Sequence, residues 1–341
     1  GGLRRKLGKL VLFADGKAKR GFDLNFQGEF EFHHVPTFSF FGKIYYQWGV
    51  LRGLLKEKPD ALFMTLDFRA LNFWLLLGVT FLLQIPTYLH THGIYRKESR
   101  RTYWLYRLLF RVVAAFSTRL ICYTKSVRDG LVRARVSSDK LTVMDNFLVN
   151  KNSISPKQKT YDRLKLLYIG RLREGSELPL LLEAMQLLLK KGLSFDLDIV
   201  GDGVQLHFLE SKAKEAGLNV IFHGSIYDSE QISKISQPCT FGIYPGDAGL
   251  SIVHYMSLSL VTVVHSSLEL HMGPEPSYVV DGETGITFQR ENAQDLADCI
   301  EKLFLDTKQA RLIATNGYEL FQQMKTPTME DKFVAALKGP T

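Results

Sequence analysis

Short apolar runs alternate with longer amphipathic ones along most of this chain. In the first half, Lys9–Phe13 (KLVLF) reads as a strand. Tyr45–Asp60 has the apolar spacing of a helix stopped near Pro59. Ala61–Thr65 is the next strand. Ala70–Leu89 is the most apolar stretch, but Gly78, Gln84 and Pro86 divide it. It predicts a buried helix running into a buried strand and loop at Ile85–Gly93, not a membrane span. Arg96–Arg111 reads as a basic helix, Thr118–Thr124 as a strand, Lys125–Ala134 as a helix and Lys140–Asn146 as a last short strand. Strands separated by helices imply a parallel sheet covered by helices.

The stretch Asn150–Arg163 is polar, holds a proline and breaks the pattern, so 151–163 is expected to be a linker. The alternation then restarts. Strands are expected at LKLLYIG, FDLDIV, NVIFHG, TFGIYP and LVTVVHS, with helices between them. A last pair of helices falls at Ala293–Leu305 and Lys308–Gln323. The expected organisation is a first Rossmann-like domain at 1–150, a second at 164–320, and a C-terminal helical segment at 321–341 crossing back to the first. The fold class is α/β, two parallel-sheet domains facing a cleft, with ligands at the carboxyl ends of strands. Only the tail of a helix, LRRKLG, precedes the first apolar strand. Either a first strand is missing from this chain or the sheet order is unusual.

Composition narrows the class. The chain has 341 residues, 45% hydrophobic and 23% charged, as in a folded protein with two cores. Three scattered cysteines give no disulfide framework or metal knuckle and fit a reducing cytosol. Residues 1–150 hold 24 Lys and Arg against 11 Asp and Glu, +13; the rest hold 19 against 24, −5. A basic first half suits an anionic partner, nucleic acid or the inner face of a membrane. No nucleic-acid module is recognisable, and the aromatic residues lie on apolar helical faces. The mixture of Arg with Tyr103, Trp104 and Phe110 on one helix fits a membrane-surface element; for this helix taken alone, a core helix with a solvated basic face is the favoured reading.

The stretch YPGDAGLSIVHYM, Tyr244–Met256, reads as strand end, Gly-rich turn and helix. Successive N–H groups at Gly246, Asp247, Ala248, Gly249 and Leu250, with Ser251 opening the helix, can hold phosphate without a side-chain cation. Asp247 is otherwise a simple helix cap. Arg171 follows the first strand of the second half, after Gly170, where a guanidinium can clamp a diphosphate. Gly201, Asp202 and Gly203 form a second strand-end turn, and Gly224 to Ile226 a third.

In order, LYIGRL, LDIVGDG, VIFHGSI, YPGDAGLSIVHYMS, VTVVHS and VVDGETGITF resemble the nucleotide-sugar domain of family 4 glycosyltransferases, which have the GT-B fold. The first half adds HTHG (His90–Gly93) and MDN (Met144–Asn146). The resemblance implies sugar transfer from a nucleotide diphosphate sugar to a hydroxyl, with retention and without metal or other cofactor. It implies donor contacts at Gly170, Arg173, Asp202, Gly203, Gly224, Ile226 and Gly246–Ser251, and catalytic roles for Arg171 and His92. The basic half implies a saccharide or lipid-linked acceptor, in surface polysaccharide or glycolipid synthesis, with the protein cytoplasmic and peripheral at the inner membrane face.

Three positions depart from the family pattern. Gly246 and His254 stand where it has two glutamates, and Ser176 stands where it has a lysine. A subgroup with a Pro-Gly-x-x-Gly-Leu turn shows a similar pattern. His254 can serve the ribose hydroxyls, and Glu275 in HMGPEPSYV can supply a carboxylate. The missing lysine leaves a second reading, a nucleotide-sugar-binding relative or partner subunit without catalysis.

Overall fold

The structure is a computed structural model that describes residues 7–15, 31–40, 42–94, 100–147 and 150–338. The helix tail expected at the start and the Arg96–Ser99 part of the basic run lie outside the described residues, wholly or for the most part. The chain divides into two compact units, residues 1–145 with 327–341, and residues 146–326.

The first unit holds a parallel four-stranded sheet ordered β5-β6-β7-β8, from β5 (Leu62–Thr65), β6 (Thr87–Thr91), β7 (Arg119–Cys122) and β8 (Leu141–Val143). Two further pairs precede it: β1 (Val11–Ala14) with β2 (Glu31–His34), parallel, and β3 (Thr37–Phe40) with β4 (Ile44–Gln47), antiparallel. The helix expected from Tyr45 therefore begins later, as α1 (Val50–Glu57). Gly49, at φ 91°, is the break: it takes a backbone that other residues rarely adopt, and the alternating IYYQ before it pairs as a strand.

Helices α2 (Leu71–Leu82), α3 (Arg100–Phe116) and α4 (Lys125–Arg133) connect the sheet strands. The apolar stretch becomes α2 followed by β6, and no described helix is long and apolar enough to cross a membrane. Phe73, Leu77, Leu89, Phe110, Val113, Leu120 and Leu131 form the core between sheet and helices.

The second unit carries one parallel six-stranded sheet ordered β11-β10-β9-β12-β13-β14. Its strands are β9 (Lys165–Ile169), β10 (Asp196–Val200), β11 (Val220–Phe222), β12 (Phe241–Tyr244), β13 (Val261–His265) and β14 (Ile286–Phe288). The central strands are buried along most of their length, as a doubly covered parallel sheet requires. Helices α5 (Leu178–Lys190), α6 (Leu206–Glu215), α7 (Ser229–Ser236), α8 (Ser251–Ser257), α9 (Ala293–Leu305) and α10 (Thr307–Met324) complete it.

The segment 151–163 is not a free connector. Ile154, Lys159 and Tyr161 are buried. The Ile154 N–H donates to the Ser257 carbonyl at 3.0 Å, and the Tyr161 hydroxyl to the Ser259 carbonyl at 3.1 Å. The Lys159 ammonium donates to the Ser236 carbonyl at 2.7 Å, and burial lowers its pKa to about 8. A polar composition here reflects hydrogen bonds into the unit rather than solvation. After α10 the chain rejoins the first unit as α11 (Met329–Lys338). Phe333 packs on Phe63 with ring centroids 4.9 Å apart, Lys332 pairs with Asp145 at 3.1 Å, and the Tyr88 hydroxyl donates to the Leu337 carbonyl.

Candidate functional site

Because every strand of the second sheet is parallel, the loops that follow them gather at one edge. The connections after β9, β10, β11, β12 and β13 carry the predicted residues of this unit. β9 and β10 pair level, Ile169 opposite Val200, so Gly170 and Gly201 emerge side by side. An added Cβ would lie 1.8 Å from the Gly170 oxygen at Gly201, and 2.2 Å from the Leu172 oxygen at Gly203. The two glycines of Gly-Asp-Gly are thus demanded by the neighbouring loop. Asp202 is exposed, and its Oδ1 accepts the Gly203 N–H at 2.7 Å. Gly224, at φ 70°, passes its carbonyl to the Gly201 N–H at 2.8 Å, and Ile226 is half-buried after it.

The Gly-rich turn after β12 is buried from Gly246 to Gly249, while Leu250 is exposed. Its first half is tied down. The Asp247 N–H donates to the Gly175 carbonyl at 2.8 Å, and the Ala248 carbonyl accepts from the Gly273 N–H at 3.0 Å. The Ala248 N–H donates to Nδ1 of His271 at 3.2 Å. Among the described residues, the N–H groups of Gly249 and Leu250 donate to no protein acceptor. These two donors are available to an anion. Asp247 does not cap α8: the capping position is Leu250, without a side-chain bond. Ser251 instead anchors the helix, its hydroxyl donating to the Ile169 carbonyl at 2.9 Å.

His271 holds this turn through one tautomer. Its Nε2 donates to the His265 carbonyl at 2.9 Å, so Nδ1 is the acceptor for Ala248. His265 stacks on it, with ring centroids 3.7 Å apart. Burial is the main cause that lowers both pKa values, His265 to about 3, so the pair stays neutral.

Glu275 is the least expected feature. Its residue is 2% exposed, Oε1 accepts from the Asn146 amide, and the buried Oε2 has no partner. A Cβ on Gly249 would stand 3.8 Å from Oε2, and one on Gly273 would meet it at 1.9 Å. Burial raises its pKa, against the pull of the Asn146 bond. An unpartnered buried carboxylate oxygen is costly, and beside Gly249 it is an acceptor waiting for a donor.

Arg171 is exposed, and its guanidinium makes no hydrogen bond or ion pair among the described residues. Arg173 bends to the turn: its Nη2 donates to the Asp247 carbonyl at 3.2 Å. Ser176 is buried, with its hydroxyl donating to the Arg173 carbonyl at 2.6 Å. A Cβ on Gly246 would lie 2.4 Å from the Gly175 oxygen and 2.8 Å from the Ser176 carbonyl carbon. Gly246 and the Gly175–Ser176 backbone are therefore in close approach. The loop at Gly175–Ser176 fills the space of a side chain at 246, and a long side chain at 176 would start from a buried position. His254, on α8, is half-buried, and burial lowers its pKa to about 4.

In the first unit, His92 follows β6 and is exposed, whereas His90 is half-buried. The Tyr123 ring stacks at 3.9 Å on each of them. Desolvation of the stacked rings lowers both pKa values, that of His90 to about 4. Gly93, at φ 84°, would drive a Cβ to 2.9 Å from Val127. One cluster of described residues has ligands for a cation, Glu31, His33 and Glu57. Lys9 occupies it, with its ammonium 3.1 Å from Glu31 and 2.6 Å from Glu57.

Sequence reasoning missed His271, Gly273 and Gly175, and used Asn146 only through the family pattern. The one signal was HMGPE itself, His, Gly and Glu at alternate positions.

The family model for glycosyl transferases group 1 matches residues 150–320, and that for glycosyltransferase family 4 matches residues 3–148. Among solved structures, Anabaena HepE in complex with UDP is 17% identical, with a TM-score of 0.65 over 85% of this chain and 82% of its own. HepE has also been solved with UDP-glucose. A glycosyltransferase from Rickettsia africae is 15% identical, with a TM-score of 0.68 over 91% and 84%. The lipopolysaccharide outer core galactosyltransferase WaaB, apo form, is 12% identical, with a TM-score of 0.60 over 85% and 78%. No protein with a curated description matches the sequence. With half of its length matched by one family model and two parallel-sheet units of the GT-B type, the chain belongs to the glycosyl transferases group 1 family.

Proposed function

We propose that this glycosyltransferase moves a sugar from a nucleotide diphosphate sugar to a hydroxyl of a saccharide or lipid-linked saccharide, with retention at the anomeric carbon. The observation that carries the donor assignment is the pairing of a tied-down turn, with free N–H groups at Gly249 and Leu250, and the unpartnered Oε2 of Glu275 beside it. The N–H groups and the guanidinium of Arg171 offer the diphosphate its contacts, and Arg173 completes the cationic side. Glu275 and the neutral His254 accept from hydroxyls of ribose or sugar. Asp202, Gly203, Gly224 and Ile226 line the loops nearest the base. Since HepE binds UDP and UDP-glucose, a UDP-sugar is the first donor to try.

As the bond from the anomeric carbon to the phosphate oxygen breaks, negative charge grows on the leaving diphosphate. Fixed donors already aimed there lower the barrier. His92, in the first unit, is proposed as a catalytic residue. No metal is needed where arginine and backbone N–H groups neutralise the diphosphate, so turnover is expected to survive chelation. The protein is placed in the cytoplasm, at the inner membrane face, because its basic half suits a lipid-linked acceptor there.

The test is single-turnover incubation of labelled UDP-sugars with membrane extracts as acceptor, with product configuration read by NMR. Retained configuration, unchanged by EDTA, is expected; inversion or dependence on EDTA removes the mechanism. Binding without any transfer favours the non-catalytic reading, whose support is the buried Ser176 in place of a lysine.

A further inference from the structure

We infer that the adjoining outer faces of α2 and α3 are a docking surface seated on an anionic lipid bilayer. This deepens the membrane placement proposed above, and it rests on that placement rather than on the donor chemistry.

In α3 the exposed positions are Trp104, Leu105, Leu108, Arg111, Val112, Ala115 and Phe116. Their spacing is one helical face, and all but one are apolar. The opposite face, with Phe110, Val113 and Ala114, is already spent on the core. α2 repeats the arrangement: Phe73, Leu76 and Leu77 are buried, while Leu71, Leu75, Phe81 and Leu82 are exposed, Leu82 at 80%. The stripes meet at the ends of the helices, where the Phe81 and Phe116 rings lie 4.8 Å apart. A surface helix normally turns polar residues outward, and a helix that is apolar all round is buried in protein or in lipid. Both helices are too short to cross a membrane, which leaves the interface plane.

Charge selects the occupant. The 12 residues of α2 and 17 of α3 include no Asp or Glu, while α3 carries Arg100, Arg101, Arg107 and Arg111. A second copy would set Arg107 and Arg111 against their own counterparts across a two-fold axis. An anionic bilayer attracts them, at about 1 kcal/mol for each near the surface. Trp104, 62% exposed beside Arg107 and Arg111, has the amphipathic ring that settles at headgroup level.

The test is co-sedimentation of the full chain with vesicles of phosphatidylcholine alone or with a third phosphatidylglycerol, beside Leu82→Glu and Leu108→Glu. UDP calorimetry and thermal unfolding are measured on the same preparations. Both sites are exposed, so the variants are expected to fold and to bind UDP as the parent does. The parent is expected to bind only the anionic vesicles, and each variant at least tenfold more weakly. Trp104 emission should shift to the blue, a shift absent from Trp104→Phe. Undiminished vesicle binding by both variants overturns the surface, and so does the absence of any vesicle binding. A concentration-dependent dimer that both substitutions dissolve overturns it in favour of self-association. Loss of UDP binding in the parent is a separate failure, of the donor assignment.

Discussion

At residue 275 a carboxylate is held almost out of water with one oxygen unpartnered. Its raised pKa means that the folded state binds a proton more tightly than the unfolded chain. Between the two pKa values stability therefore falls as pH rises, so the buried carboxyl weakens the fold on the alkaline side of that window. Glu275→Gln is expected to raise the Tm at pH 7 by about 2–4 °C, the shift for about 1 kcal/mol in a unit of this size. The same change should weaken UDP-sugar binding at least tenfold. A lower Tm with unchanged binding, by scanning calorimetry and titration, would make Glu275 a structural partner of Asn146 only. His271 acts one step back, through the Ala248 N–H. His271→Ala is expected to raise KM for the donor about tenfold and leave kcat within threefold. Asn, whose carbonyl oxygen takes the place of Nδ1, should restore most of the loss; equal defects in both variants would refute the tautomer argument. In the sequence Glu275 stood out only as a spare carboxylate, because the burial that leaves its oxygen unpartnered comes from residues distant along the chain.

At the scale of elements, the sheet-edge loops fit each other through glycine. Gly246 accepts the approach of Gly175 and Ser176, and Gly201 that of Gly170. A side chain at 246 would meet the Gly175–Ser176 backbone, and one at 176 would start from a buried position. Gly246→Glu and Ser176→Lys, singly or combined, are expected to lower the Tm, since forcing side chains into filled space costs about 1–3 kcal/mol. They should restore no activity. A gain in turnover from the double variant would show that the site is decayed rather than rebuilt. The parallel alternation of the second unit was legible because its strands are short apolar runs between longer periodic stretches. The hairpin β3–β4 was not, because its alternating aromatic residues abut a helix and only the positive φ of Gly49 separates them. The 151–163 segment misled for a different reason: its polar groups are satisfied by backbone far along the chain.

For the whole molecule, each unit contains a histidine kept neutral by burial, His90 in the first and His254 in the second, both with pKa values near 4. The unfolded chain takes these protons near pH 6.5. From about pH 6.5 down to 4 it holds more protons than the folded chain, so stability declines as pH falls through that window. Each histidine contributes up to about 3 kcal/mol to the decline. Unfolding midpoints measured by circular dichroism from pH 7 to 4 should show it, and His254→Asn should flatten the slope of the second unit. An unaltered slope would place His254 in contact with solvent. Charge asymmetry was legible at this scale from a count of residues. Which face of α2 and α3 is exposed was not, because the exposed and buried stripes are both apolar, and the sequence does not tell them apart.

The central claim, that the edge of the second sheet holds a nucleotide diphosphate, is tested most directly by calorimetric titration of UDP, GDP and ADP into the parent and into Arg171→Ala. Among the described residues the exposed guanidinium makes no hydrogen bond or ion pair, so the variant should unfold at the same temperature. The account predicts that one diphosphate, UDP first, binds the parent and loses about 1.5–3 kcal/mol in the variant, the range for a hydrogen bond to a charged group. Equal binding by both proteins, or none by the parent, would contradict it.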